Sequence, residues 1–271
     1  MAMLEFDEHA TRQIQRLYST PDVVQQREQV LALLSPQPGE RILDVGSGPG
    51  FLVASMADAV GDRGAVHGLD PSTAMNAVAR ELAASRPWVS INTGDALALP
   101  YPDATFDAAV STQVYEYVAD IPTALTELRR VLRPGGRTLV LDTDWDSVVW
   151  HATDRERHKR IMAAWEEHLV HPHLPPALPG HLRRAGFAVT GRSLIPLFNP
   201  AYEPNTYSAM IMNVIAEFVS GRQDLSREDI DGWLHDLRSR SEDDEYLFSV
   251  NRYCFLADIN RTERPDAAPR P

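Results

Sequence analysis

Apolar and polar positions follow two different periods along the first part of the chain. Between residues 9 and 34, apolar side chains recur every three or four positions with a break near Pro21, which predicts two helices. From Arg41 onward, short apolar runs alternate with helical patterns, and glycine, proline or aspartate separate them. Strands that alternate with helices are typical of a parallel sheet covered by helices on both faces. The predicted strands cover residues 41–45, 65–70, 88–95, 106–112 and 137–145, and the predicted helices between them cover residues 51–60, 71–85 and 121–132, with Ser72 as an N-cap.

After residue 145 this alternation is lost, and helical and polar stretches interrupt it. A helix is predicted from Thr153, because Thr153 and Glu156 have the spacing of a capping box. A proline-rich loop, a short helix and a sixth strand follow, and then two helices over residues 205–240, the second opened by Ser226 and Asp229. The expected organisation is a helical cap (1–38), an α/β core (39–145), a helical insertion (146–180), a core helix and strand (181–198), a helical lid insertion (199–245), a final core strand (246–259) and a disordered tail (260–271).

Composition restricts the class of protein. The formal net charge of -12 disfavours a general nucleic-acid binder, which needs a basic surface. The single cysteine, Cys254, excludes an intramolecular disulfide, and its apolar neighbours in the sequence predict a buried thiol. No signal peptide and no apolar run of membrane-spanning length are recognisable. We therefore expect a cytoplasmic protein without a nucleic-acid partner or a membrane span.

The glycine-rich segment Asp44–Gly50 carries the first chemical signal. It joins a predicted strand to a predicted helix, which is the position at which parallel α/β sheets bind ligands. Glycines at this position let a ligand approach the backbone closely. A dinucleotide-binding loop would need a small residue where this chain has Phe51. The spacing is instead D-x-G-x-G-x-G, with a carboxylate two residues before the first glycine.

This segment resembles motif I of the class I S-adenosylmethionine-dependent methyltransferases. Four further segments are similar to that family in the same order, namely Asp70 at the end of the second strand, the acidic loop around Asp95, residues 106–118, and residues 124–141, which look like the UbiE-like (methyltransferase type 11) branch. The resemblance implies an α/β, Rossmann-like sheet of seven strands, mostly parallel with the last strand antiparallel, and helical insertions that form a lid. It also implies transfer of a methyl group from S-adenosylmethionine, with S-adenosylhomocysteine as the product.

The chemistry of S-adenosylmethionine gives each residue of the resemblance a role. Asp44 would attract the ammonium group, the amides of the loop and of the helix start would bind the carboxylate, and Asp70 would accept both ribose hydroxyls. Asp95 would face the adenine amino group, and Tyr18 would close over the methionine end. Packing roles for Tyr18 and Met75 remain open alternatives. The residues expected at the cofactor are Tyr18, Asp44, Gly46, Ser47, Gly48, Gly50, Asp70, Pro71, Met75, Asp95, Ala96, Ser111 and Gln113.

The acceptor is expected beyond the ends of the fourth and fifth strands. Methyl transfer requires alignment of the acceptor with the sulfonium, and a base where the acceptor carries a proton. No metal site is expected, because His168, His171 and His173 lie close in sequence without a carboxylate-rich motif beside them. The candidate catalytic residues are His151, His168, Asp144 and Tyr202, and the sequence does not decide between them.

The insertions carry many aromatic and methionine side chains, which favours a small, fairly apolar organic acceptor methylated on carbon, oxygen or nitrogen. Ordinary packing of the insertions explains the same residues equally well. Three other functions remain open, namely non-methyl-transfer chemistry on the same cofactor, an NAD(P)-dependent oxidoreductase, and a protein or RNA methyltransferase. The N-terminal helices would also allow a homo-oligomer to form.

Overall fold

A computed structural model describes residues 8–259, and their side chains from residue 11 onward. The expected disordered tail (260–271) and the first seven residues of the helical cap lie outside the described residues. The α-helices within that range are α1 (Glu8–Leu17), α2 (Pro21–Leu34), α3 (Phe51–Val60), α4 (Thr73–Leu82), α5 (Ile121–Val131), α6 (Arg155–Glu166), α7 (Leu178–Arg184), α8 (Tyr207–Val219) and α9 (Arg227–Ser239), and a 3-10 turn covers Tyr115–Tyr117. The strands are β1 (Arg41–Val45), β2 (Ala65–Asp70), β3 (Val89–Thr93), β4 (Phe106–Thr112), β5 (Leu132–Trp150), β6 (Ala188–Asn199) and β7 (Phe248–Asp258).

The strands form one seven-stranded sheet in the order β3-β2-β1-β4-β5-β7-β6. The neighbouring pairs from β3 to β5 are parallel, whereas β7 runs antiparallel to both β5 and β6. This arrangement confirms the expected Rossmann-like sheet with an antiparallel last strand. The central strands β1 and β4 are apolar along most of their length because helices cover both faces of the sheet.

Local capping signals account for most helix starts. The hydroxyl of Ser72 accepts a hydrogen bond from the Met75 amide at the start of α4, as predicted. The predicted capping box of Ser226 and Asp229 is also confirmed at the start of α9. The predicted box of Thr153 with Glu156 is wrong, because Asp154 caps α6 by accepting from the Arg157 amide at 3.0 Å.

Strand β5 extends beyond its predicted end at residue 145. Its last residues pair with the start of β7, where Trp150 lies opposite Phe248. The expected boundary between the core and the first insertion therefore falls inside β5, and the boundary at residue 180 falls inside α7. Pairing between segments about a hundred residues apart lengthens this strand, and a local sequence pattern does not contain that information.

The helices α1, α6, α8 and α9 pack together over the ends of β5, β6 and β7, and we call this layer the lid. The first turn of α2 joins the lid core through Val23, whereas the rest of α2 packs against α3, β5 and β6. Tryptophans fill the lid core, and two pairs meet edge to face: Trp145 with Trp165 at 5.6 Å, and Trp150 with Trp233 at 5.5 Å between ring centroids. The aromatic residues of the insertions therefore stabilise the lid, and its apolar faces are buried within the chain.

Two expectations from composition concern single features. The Cys254 thiol is buried, as predicted, and burial raises its pKa to about 12. Among residues 8–259, no helix combines the length and the apolar composition needed to cross a membrane.

Candidate functional site

A cavity of about 400 Å³ opens at the carboxyl ends of β1, β2 and β4, and α1 and α2 form its roof. Its size lies within the range of small-molecule sites, roughly 300 to 1,000 Å³. Of the thirteen residues expected at the cofactor, Gly50 and Ser111 do not line the cavity. The other eleven do so, namely Tyr18, Asp44, Gly46, Ser47, Gly48, Asp70, Pro71, Met75, Asp95, Ala96 and Gln113.

The three glycines of the loop have positive φ angles for different structural reasons. A Cβ atom at Gly46 would overlap Val114, and one at Gly50 would lie 2.7 Å from the Ala79 Cβ on α4. These two glycines permit close packing of the loop and of α3. Gly48, with φ of +51°, lines the cavity, and a Cβ there would meet nothing within 4 Å. The space in front of Gly48 is therefore open to a ligand.

The amide groups of the loop already have partners, which leaves the start of the helix as the other position expected to bind the cofactor carboxylate. Their bonds run from Gly46 and Ser47 to the Leu69 carbonyl (2.7 and 3.0 Å), from Gly48 to an Asp70 carboxylate oxygen (2.9 Å), and from Gly50 to the Ser47 carbonyl (3.0 Å). The first turn of α3 has N–H groups without intrahelical acceptors, and no side chain caps it. An anion would therefore meet the start of α3 rather than the loop itself.

Two carboxylates line the cavity on either side of the loop. Asp44 is buried, and its Oδ1 atom has no hydrogen-bond partner. Burial, and to a smaller extent repulsion from Asp70, raises the pKa of Asp44 well above the ordinary value. The two oxygens of Asp70 accept from the Ser72 amide at 2.8 Å and from the Gly48 amide at 2.9 Å. Burial raises the pKa of Asp70, and these two hydrogen bonds oppose the rise. The free oxygen of Asp44 suits a ligand ammonium group.

The far end of the cavity has a hydrophobic slot beside an acidic turn. Met75 and Ala96 are buried there, and Asp95 accepts a hydrogen bond from the Leu97 amide at 2.8 Å. Met75 packs in the lid core and also lines the cavity, so its packing role is observed and contact with the cofactor stays a prediction. Tyr18 lines the roof, and burial raises its pKa to about 12.

Gln113 follows β4 in a strained backbone conformation, with φ of +59°. Its backbone amide donates to the Leu141 carbonyl, and its side-chain oxygen accepts from the Thr143 hydroxyl, each at 2.7 Å. The Gln113 Nε2 donor is buried without a partner, and the residue lines the cavity. This donor is therefore held ready for a ligand acceptor. Ser111 lies two residues earlier in the sequence and is fully buried within β4.

The structure places the two candidate histidines away from the cavity lining. His151 is exposed, and its Nδ1 atom lies 2.7 Å from the Glu245 carbonyl. His168 is buried against the Trp165 ring with centroids 3.7 Å apart, and burial lowers its pKa to about 4. Its packing against an aromatic ring explains its burial without a catalytic role.

The other two catalytic candidates are also outside the cavity lining. Tyr202 packs against the Tyr246 ring at 5.6 Å. Asp144 lies 3.6 Å from His173, which is also 3.3 Å from Asp146. These three side chains have the spacing of a metal-binding group, but two of them are exposed, and such clusters are common without an ion.

Six residues with polar groups line the cavity but were not expected there from the sequence, namely Gln26, Arg27, Ser72, Thr112, Tyr117 and Arg252. Two of them are cations: Arg27 on α2 lies 5.0 Å above the Phe51 ring, and Arg252 on β7 is 2% exposed. Glu116 follows β4 but is not one of the residues that line the cavity. Burial raises the pKa of its carboxyl group to about 7. An arginine inside an apolar strand pattern such as that of β7 is the signal that could have identified Arg252.

Comparisons with known proteins concern the domain family and the fold. Residues 43–140 match the family model described as "Methyltransferase domain". A 2-phytyl-1,4-naphtoquinone methyltransferase of Synechococcus elongatus is 45% identical over 109 residues, covering 39% of this chain and 47% of that protein. The chain thus spans about half the length of such curated relatives.

Two solved structures share the fold over most of the chain. A putative methyltransferase from Bacillus halodurans aligns with a TM-score of 0.63 at 15% identity, covering 87% of this chain and 99% of that one. The [4+2]-cyclase SpnF aligns with a TM-score of 0.57 at 24% identity, covering 88% of this chain and 82% of that one. At these identities, the likeness concerns the fold.

Proposed function

We propose that this protein transfers a methyl group from S-adenosylmethionine to a small, fairly apolar organic acceptor, because residues 43–140 match the methyltransferase domain model. The observation that carries the proposal is the pairing of two carboxylates, the buried Asp44 and the half-buried Asp70, on either side of an open glycine loop in one cavity. A sulfonium amino acid presents an ammonium group and a ribose, and these are the groups that two such carboxylates would bind.

The residues of the cavity fit this cofactor. The unpartnered Oδ1 atom of Asp44 would accept from the ammonium group, and Asp70 has lone pairs left for the ribose hydroxyls. The guanidinium of Arg27, beside the start of α3, would bind the carboxylate in place of the occupied loop amides. Asp95 and the buried Met75 would hold the adenine.

When bound, the cofactor supplies a methyl group attached to a positively charged sulfur. The chain's own contribution is to orient the acceptor and to exclude water. Apolar side chains of the roof and of the turn after β4 form the remaining wall, which favours an apolar acceptor body. They are Ile14, Val23 and Val118, together with the ring of Tyr117. The Nε2 donor of Gln113 would fix one polar atom of the acceptor.

An assay of product formation tests the proposal. Purified protein is incubated with S-adenosylmethionine and a panel of quinols, phenols, carboxylic acids and amines, and S-adenosylhomocysteine is measured by mass spectrometry. We expect at least one acceptor to raise S-adenosylhomocysteine above the acceptor-free rate in the wild type, and Asp44→Ala to abolish the increase. Binding of NADH with no binding of S-adenosylhomocysteine would instead favour the oxidoreductase, which Phe51 disfavours at the loop.

A second candidate is non-methyl-transfer chemistry on the same fold. Two observations favour it: none of His151, His168, Asp144 and Tyr202 lines the cavity, and the fold neighbour SpnF is a [4+2]-cyclase. Under this alternative, S-adenosylhomocysteine binds with ordinary affinity but no acceptor of the panel generates it from S-adenosylmethionine.

The proposal also covers the location of the protein in the cell, its partners and its oligomeric state. It places the reaction in the cytoplasm without a nucleic-acid partner, which fractionation of cells that express the tagged chain would test. A homo-oligomer through α1 and α2 would have to use their outer faces, because Ile14, Leu17 and Val23 are buried within the lid. Light scattering of the purified chain would detect such an oligomer.

A further inference from the structure

Arg252 is a buried cation at the inner wall of the cavity. It lies on β7 opposite Thr143 of β5, and it is 2% exposed while lining the cavity. One end of its guanidinium donates to the side-chain oxygen of Gln26, and its central carbon lies 4.9 Å from the Tyr207 ring centroid. Its Nε donor is buried and has no hydrogen-bond partner.

No carboxylate within residues 11–259 lies at salt-bridge distance from Arg252. The acid that interacts with it at longer range is Glu116, whose pKa burial raises to about 7 while Arg252 opposes the rise. Burying a cation without a charged partner is costly, and such a group is normally paired. An anion in the cavity would supply the missing partner.

The two arginines of the cavity lie beside different elements. Arg27 stacks on Phe51, the first residue of α3, and donates to the Tyr18 carbonyl at 3.2 Å, so it lies beside the glycine loop. Arg252 lies beside Thr143, which in turn hydrogen-bonds Gln113 beyond the end of β4. Under the proposed function, the first position would face the amino-acid end of the cofactor, and the second would face the acceptor.

We propose that Arg252 forms an anion-binding subsite for the acceptor, which therefore carries a carboxylate or an ionised enol or phenol oxygen on an apolar body. This inference rests on the proposed function, because it assigns the rest of the cavity to the cofactor. The unpartnered Nε donor of the guanidinium binds the anionic oxygen, while Tyr18 and Tyr117 contact the ring or chain that bears it. The carboxylate of the cofactor itself is a second anion that Arg252 could bind, and the test below distinguishes it from an anionic acceptor.

The probe is benzoate, with benzamide as its neutral counterpart of the same shape. Both are titrated calorimetrically into protein saturated with S-adenosylhomocysteine. We expect benzoate to bind wild-type protein about tenfold more tightly than benzamide, since one charge-assisted pair is added. Arg252→Gln should remove this preference and change the affinity for S-adenosylhomocysteine by less than about threefold. Arg252→Lys retains the charge and should keep part of the preference.

The matched control is Arg27→Gln. It should weaken S-adenosylhomocysteine about tenfold, leave 5′-methylthioadenosine, which lacks the amino-acid end, nearly unchanged, and keep the preference for benzoate. Equal affinities of benzoate and benzamide for wild-type protein would overturn the inference without a variant. It would also be overturned if Arg252→Gln weakened S-adenosylhomocysteine but spared 5′-methylthioadenosine, because Arg252 would then bind the cofactor. Failure of wild-type protein to bind S-adenosylhomocysteine at all would reject the proposed function instead.

Discussion

Replacing Asp70 by asparagine tests the assignment of the cofactor ribose. The substitution keeps the size of the side chain and one oxygen acceptor, but it removes the charge and turns the second acceptor into a donor. In the structure Asp70 lines the cavity, and its two oxygens already accept one backbone amide each, at 2.8 and 2.9 Å, so each retains capacity for a further hydrogen bond. Asparagine can reproduce only one half of this arrangement.

The magnitude follows from the hydrogen bonds at stake. A hydrogen bond to a charged acceptor contributes about 1.5 to 3 kcal/mol, so the loss of one ribose contact should raise the dissociation constant of S-adenosylhomocysteine about 10- to 150-fold. Isothermal titration calorimetry measures this value. Asp58→Asn is the matched control, because Asp58 pairs with Arg86 on the surface and does not line the cavity. An Asp70→Asn protein that folds normally and binds the ligand within about threefold of wild type would refute the ribose assignment.

Three further predictions concern the loop, the buried acid and the lid. Gly48→Ala and Gly221→Ala both place a side chain at positive φ in open space, so each should lose about 1 to 2 kcal/mol of unfolding free energy in urea, whereas only Gly48→Ala should weaken the binding of S-adenosylhomocysteine. Burial raises the pKa of Asp44, and a bound ammonium group favours its carboxylate, so below that pKa the binding of the ligand should release a proton and its affinity should rise with pH. Calorimetric titrations across pH measure the affinity, and buffers of different ionisation enthalpy report the proton release. An affinity that does not change with pH would show that the assignment is wrong. The folded-state pKa of His168 is about 4 against 6.5 unfolded, so the unfolded chain takes up the proton first and stability falls by about 3 kcal/mol as pH drops through this window. His168→Phe should flatten that decline in urea titrations, and the exposed His235→Phe should not; equal slopes would contradict the buried neutral histidine.

The cofactor half of the fold was predictable because its signals are local. Each strand from β1 to β4 is a short apolar run between turn residues, and glycines or a capping serine mark the adjoining helices. The loop from Asp44 to Gly50 and the acid Asp70 follow from their positions at strand ends, which parallel sheets bring to one edge.

The remaining features depend on contacts between distant segments. The length of β5 comes from pairing with β7, and the burial of Arg252 comes from Gln26 on α2 and Tyr207 on α8. The loop amides looked available in sequence, but the Leu69 carbonyl at the end of β2 binds two of them. The histidines were catalytic candidates because of their residue type. In the structure, packing within the lid buries His168 against the ring of Trp165.

A crystal structure with S-adenosylhomocysteine bound tests the central claim most directly. The account predicts that the ligand occupies the cavity with its ribose hydroxyls on Asp70, its amino group on Asp44 and its carboxylate facing Arg27. Density for the ligand at another surface, or an empty cavity at saturating ligand concentration, would contradict it.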